Sequence, residues 1–328
     1  MIVPVQGIPV VLDVDTGVDD ACALLLAALH PGIDLRAVTC VGGNAPLVDV
    51  VRNTLTVLEF VGRTHVPVGI GAARPLLEDP VDARHVHGSD GMADLGLPSP
   101  TLRPDGRIAV DLLRDTIEEA ADDGRPLTLV PLAPMTNIAL LARLHPHAFR
   151  RLGRVVFMGG GANVSNATAA AEFNVFHDPE AAAVVLDACA VHEVPVTMYG
   201  LDVFYEPKVT DAHVARLRSI DTAAAQLAAA LISFHHRRFA SDGATIGDAG
   251  AVAMLLAPDA VRTERRPVRV ELSGTWTRGR TIVDTRDWSG DMDHDPHGPA
   301  PANVDVALAV NGPWLADVWL RTVGGEGW

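Results

Sequence analysis

Residues 8–29 read IPVVLDVDTGVDDACALLLAAL: an apolar run, a short turn rich in carboxylates, and an alanine- and leucine-rich helical run. The run IPVVL is hydrophobic at nearly every position, the pattern of a strand covered on both faces, and such strands belong to parallel sheets. Asp13, Asp15, Asp19 and Asp20 fall between it and the helix. The same alternation recurs downstream. Strand-like runs are LRAVTCVGG, PLTLVPL, RVVFMGG and VPVTMYGLD. Helical stretches are LVDVVRNTLTVLEFVG, IAVDLLRDTIEEAADDG, MTNIALLARLH and DPEAAAVVLDA. Repeated strand–helix units predict an α/β fold with a mostly parallel central sheet flanked by helices, a Rossmann-like core. A long alanine-rich helix is expected over 222–239 and another near 249–256. The tail returns to β character in RPVRVELSGTW and GRTIVDTR. No linker or repeat divides the chain, so residues 1–328 are expected to form a single domain.

Composition narrows the function. Hydrophobic residues make up 48% of 328, enough for a large core, and no apolar run reaches the roughly 18–20 residues of a membrane span. A net charge of −15 argues against nucleic acid and anionic membranes as partners. Cys22, Cys40 and Cys189 are odd in number and widely spaced, which suits a reducing compartment. The opening MIVPVQG lacks a basic stretch ahead of an apolar run, so it is not expected to act as a signal peptide. A cytoplasmic location is the expectation.

In open α/β sheets ligands bind beyond the carboxyl ends of the strands. Asp13, Asp15, Asn44, Asn163, Asn166 and Asp202 all follow strand-like runs and should gather at one sheet edge. Asp19 and Asp20, in the first helical turn, could serve only to cap it. Capping does not account for Asp13 and Asp15 at the end of a buried strand, where like charges repel and desolvation is costly. A hard cation with oxygen ligands resolves that conflict. One metal-enzyme class with Asp-x-Asp after its first strand is the haloacid-dehalogenase-type phosphatase. It needs a basic group on the phosphate, and Lys208, the chain's only lysine, lies in the polar stretch EPKVTDAH away from any expected strand end.

A second class accounts for more of the chain. DVDTGVDD resembles the DxDxGxDD opening of the nucleoside N-ribohydrolases, the inosine–uridine-preferring family. The resemblance continues in order through VGGN, HVHG, PLAPMTNIA, FMGGGANVSNATAAAEFN, DPEAA and a late Asp248. It implies the nucleoside hydrolase fold and hydrolysis of the N-glycosidic bond of a small-molecule ribonucleoside. By that likeness Ca²⁺ would be held by Asp15, Asp20, the main-chain carbonyl of Leu132 and Asp248, with Asp15 also acting as general base toward water. Asp19, Asn44, Asn166, Glu172 and Asn174 match ribose-gripping positions, and Asp13 a supporting one. His87, Met158 and Phe173 match the pocket lining. The family also implies a homodimer or homotetramer.

The pattern breaks at one point. Family members often carry His-Asp where this chain has Gly247-Asp248, so the usual proton donor to the leaving base is missing. His235 and His236, from SFHHRRF, could substitute, or the segment could be only a basic helix end that meets its dipole; a histidine restored at Gly247 should raise turnover if the pocket has room. A non-catalytic ribose-binding relative is the alternative. The acidic stretch DMDHDPHG, 291–298, is expected to be a solvated loop rather than a second metal site.

Overall fold

The computed structural model describes residues 7–239, 243–286 and 300–328, so the DMDHDPHG stretch lies outside the described residues. The strands are β1 (Ile8–Val14), β2 (Ile33–Cys40), β3 (Val68–Ile70), β4 (Thr128–Pro131), β5 (Arg154–Met158), β6 (Val196–Tyr199), β7 (Lys208–Val209), β8 (Ala244–Thr245), β9 (Val261–Arg266), β10 (Val268–Val270), β11 (Thr281–Val283) and β12 (Val304–Val310). Eight form one sheet in the order β3-β2-β1-β4-β5-β6-β12-β9. All its pairings are parallel except β12 with β9. β10 pairs with β11, and β7 with β8, as separate antiparallel ribbons.

Helices cover both faces. Val10, Leu12 and Val14 face the core shared with helices Val18–Leu29, Ala223–Phe239, Ala249–Leu256 and Gly312–Gly324. Val11, the alternate residue of β1, faces helices Ala109–Asp122, Thr136–Leu144 and Pro179–Val191. The period of two along a strand therefore turns Asp13 toward the second face, where it meets Asn137. The last helix returns to the first, with the Trp319 indole donating to the Cys22 carbonyl at 2.9 Å.

The expected strands after residue 260 are only partly right. RPVRVELSGTW contributes only Arg266, the last residue of β9, and the three residues of β10, with Pro267 between the two strands. β9 reads VRTERR and β12 reads VDVALAV, and both were missed. β9 is a charged edge strand, and charge on an edge blocks pairing with another chain at the expense of the apolar signal.

Strand order reverses direction at β1, whose neighbours are β2 and β4. At that switch point Asp15 and Leu132 stand just past the carboxyl ends of β1 and β4, where sheets of this kind bind their ligands.

Candidate active site

The turn after β1 brings its carboxylates together from a short span. Asp13, Asp15 and Asp20 are fully buried and Asp19 is partly so. Asp20 does cap the helix, accepting from Gly17 N at 2.9 Å and from Asp15 N at 3.3 Å. Asp15 accepts from Asn44 N at 2.7 Å and from the Asn44 amide at 3.0 Å, and the same amide reaches Asp20 at 3.1 Å. No side chain fits at Gly43, because a Cβ there would lie 2.1 Å from Asp15 Oδ2. The motif VGGN thus packs its backbone onto the carboxylate.

Asp248 arrives from the other end of the chain, just ahead of helix Ala249–Leu256. Asp19, Asp20 and Asp248 each offer an oxygen within 4.8 Å of the others. This compact trio contains Asp19 where the sequence pattern places Asp15. Asp15 stands beside it, coupled to Asp20 by charge. Burial first, and then the neighbouring aspartates, push Asp15 and Asp248 well above the usual carboxylate range. Burial and Asp19 push Asp20 up to about 7. Three buried acids that resist ionisation side by side are a site in want of positive charge.

Asp13 is a support. Its Oδ1 accepts from Thr39 at 2.5 Å and from Asn137 at 2.8 Å, and its carbonyl accepts from Leu132 N at 2.8 Å. Asn137 also donates to the Cys40 carbonyl at 3.0 Å and accepts from Ala72 N at 2.9 Å, tying two strand ends to a loop. Thr39 and Asn137 were not anticipated, although Asn137 lies inside the quoted PLAPMTNIA.

The wall beyond β4 and β5 is built differently. Glu172 caps the short helix Phe173–His177, accepting from Asn174 N at 2.8 Å, Val175 N at 3.1 Å and Gly160 N at 2.9 Å. Burial still pushes it up to about 7. Asn174 does not cap the following helix, a role taken by Asp178. Its amide donates instead to the Leu132 carbonyl at 2.9 Å and touches the Met158 carbonyl and sulfur at 3.3 and 3.4 Å. Asn166 Oδ1 accepts from Phe173 N at 2.9 Å, and the Phe173 ring packs on His177 at 5.7 Å. Asn163 and Asp202 bond to each other, Asp202 holding the backbone N–H groups of Ala162 and Asn163, so this pair fixes the glycine-rich turn.

His87 lies in a one-turn helix, Arg84–His87, rather than a loop. Its Nδ1 accepts from Val18 N at 3.2 Å, and burial lowers its pKa, so the ring is neutral and Nε2 carries the proton. Asp19 lies 3.6 Å from it. The His235 ring is 6.4 Å from that of His87, is buried, and has no bonding partner for Nε2 among the described residues. His236 is a correction. Both its ring nitrogens are engaged elsewhere, with Asp211 at 2.6 Å and the Val209 carbonyl at 2.8 Å, which leaves it no free donor for a substrate.

Gly247 is the second correction. It has φ +56°, and a Cβ there would lie 2.5 Å from Asp19 Cβ and 3.1 Å from the Phe204 ring. The space for a side chain is already filled, so Gly247→His cannot be a clean restoration. Lys208 is exposed on the β7–β8 ribbon.

A doubly wound α/β sheet with a cluster of buried carboxylates at its switch point defines an α/β enzyme class whose acidic site suits a cation. Comparison with known proteins makes the assignment narrower. The family model for inosine-uridine preferring nucleoside hydrolase matches residues 10–317. The pyrimidine-specific ribonucleoside hydrolase RihA of Enterobacter sp. (strain 638) is 39% identical over 284 residues, 85% of this chain and 88% of the relative. RihA of Escherichia fergusonii is 38% identical over 85% and 89%. A purine-preferring ribonucleoside hydrolase from Gardnerella vaginalis superposes with TM-score 0.85 at 29% identity, covering 97% of this chain and 99% of that one. The chain belongs to the inosine-uridine preferring nucleoside hydrolase family, and is an N-glycosyl hydrolase.

Proposed function

We propose that this protein cleaves pyrimidine ribonucleosides to ribose and free base, with Asp15 as general base and Ca²⁺ held by Asp15, Asp20, the Leu132 carbonyl and Asp248. The observation that carries this is the convergence of Asp19, Asp20 and Asp248 within 4.8 Å from opposite ends of the chain. An all-oxygen, buried, mutually repelling donor set whose bonding partners are neutral groups fits a hard divalent cation. When bound, the ion supplies Lewis acidity toward water and the sugar diol.

The protein's own groups do the rest. Asp15, aimed by Asn44, accepts a proton from the attacking water. Asp19, Asn44, Asn166, Glu172 and Asn174 surround the ribose, and their oxygens favour the positive charge that develops on the sugar ring. Met158 and Phe173 pack beside it. With Gly247 in place of histidine, His235 and His87 face the departing base. Burial holds His235 at about 4, so at neutral pH it acts through hydrogen bonding rather than as a cation. The pyrimidine preference draws support from the RihA relatives at 38–39% identity. Among the described residues no helix is long and apolar enough to cross a membrane. Three unpaired buried cysteines support a cytoplasmic enzyme, and we infer a homodimer or homotetramer acting as a single domain per chain.

The test is release of reducing sugar from uridine, cytidine and inosine, with Ca²⁺ or with chelator. Calcium-dependent release, fastest from the pyrimidines, is expected. Ribose binding without turnover of any nucleoside would reduce the protein to a binding relative.

A further inference from the structure

The segment SFHHRRF puts Arg238 three residues beyond His235, and positions i and i+3 share a helix face. Across from that face stands the one-turn helix Arg84–His87. Nε and Nη2 of Arg238 both donate to the His85 carbonyl, at 2.8 and 2.6 Å. Beside this contact the His235 and His87 rings lie 6.4 Å apart. One arginine therefore ties together the two helices that carry these histidines.

The acceptor needs such a partner. A helix of four residues closes few bonds of its own, and its last carbonyls lack an N–H further along the helix. The Arg84 carbonyl accepts from Gly88 N at 2.9 Å. The next N–H, on Ser89, would reach His85 in a longer helix, but it donates to Asp94 Oδ2 at 3.1 Å. The Arg238 guanidinium supplies the missing donor, and its charge suits the negative end of a helix. Two further anchors hold the same segment to the carboxylate floor. Ala83 N donates to the Asn44 carbonyl at 3.0 Å, and Val18 N donates to His87 Nδ1 at 3.2 Å. Helix Arg84–His87 is thus strung between the floor and Arg238.

We propose that Arg238 is a positioning residue for departure of the base, holding His87 in place through the His85 carbonyl without touching substrate itself. The role rests on the nucleosidase reading above, in which His87 and His235 face the departing base.

Arg238 is exposed, so Arg238→Met removes the donors without opening the core. It should lower kcat/KM for uridine about tenfold through misplacement of His87. For p-nitrophenyl riboside, whose leaving group needs no proton, the change should stay below about twofold. In a His87→Ala background, where the positioned group is gone, Arg238→Met should cost less than about twofold further on uridine. Equal losses on the two substrates, no loss on uridine, or losses that multiply in the double variant would overturn the proposal. If wild type cleaves no riboside, the nucleosidase reading fails separately. Hydrogen exchange at the Val18 N–H, which His87 accepts, then decides. Faster exchange in Arg238→Met supports the clamp, and unchanged exchange overturns it.

Discussion

The floor of the site and its wall both bury carboxylates, but they treat them differently. Glu172, in the wall, accepts three backbone N–H groups and caps a helix. Asp15, Asp20 and Asp248, in the floor, lie against one another, and what bonds they have come from a few N–H groups and one asparagine. The wall is complete without a ligand. The floor is arranged for positive charge that the polypeptide does not provide. On the proposed function, electrostatic preorganisation for catalysis is divided between a part held by hydrogen bonds and a part that an ion would hold.

The sharpest way to break that contrast is Asp15→Asn. It keeps the size of the side chain and removes both the base and one charged Ca²⁺ ligand of the proposed set, so kcat should fall by at least about 10²–10⁴. Turnover near that of wild type would end the general-base assignment. Asp19→Asn, measured beside it for Ca²⁺ affinity, decides which of Asp15 and Asp19 completes the ligand set with Asp20 and Asp248.

Chelation should come next in size, abolishing activity and lowering Tm by several degrees. An ion present at 100 times its Kd contributes about 2.7 kcal/mol to the folded state. A Tm indifferent to Ca²⁺ would mean that the floor stands without it.

Acidity should separate the two regions in the metal-free protein. Burial raises the folded pKa values of Asp20 and Glu172 to about 7, above the ordinary carboxylate values of 3.8 and 4.5. The native state therefore holds their protons more tightly than the unfolded chain does. The share of stability that these two groups contribute should be lost as pH rises from about 4 through about 7. Ca²⁺ should flatten this slope by favouring the ionised floor, whereas Glu172→Gln should remove only its own share. Chemical denaturation at several pH values measures both, and a slope of opposite sign would refute the assignment.

The smallest effect expected is at Gly247→Ala. A β-carbon in a left-handed backbone against Asp19 should cost about 1–3 kcal/mol and should displace Asp19. Unchanged stability and unchanged kcat would show that the loop relaxes freely.

The strand-and-helix order through residue 200 was legible because β1, β2, β4, β5 and β6 are buried on both faces and carry continuous apolar runs. β3 is three residues long and β9 is charged along a sheet edge, so neither leaves an apolar run to find. Among site residues, the crowding of Asp13, Asp15, Asp19 and Asp20 was visible because the four lie within eight positions. Asn137 carried no comparable signal, since an asparagine in a helical stretch is ordinary. His235 and His236 are adjacent in sequence, yet the helix turns one toward His87 and the other toward Asp211. That choice depends on what packs against each face of the helix.

By itself the sequence determined a parallel α/β sheet, an acidic strand-to-helix turn and the lack of a histidine beside Asp248, because periodicity, local charge density and residue identity are written along one dimension. Only the tertiary structure decided that Asp19 joins Asp20 and Asp248 and that position 247 has no room for a side chain. Each of these is a contact between segments far apart in the chain, fixed by the strand order and the packing of helices rather than by any neighbour in sequence.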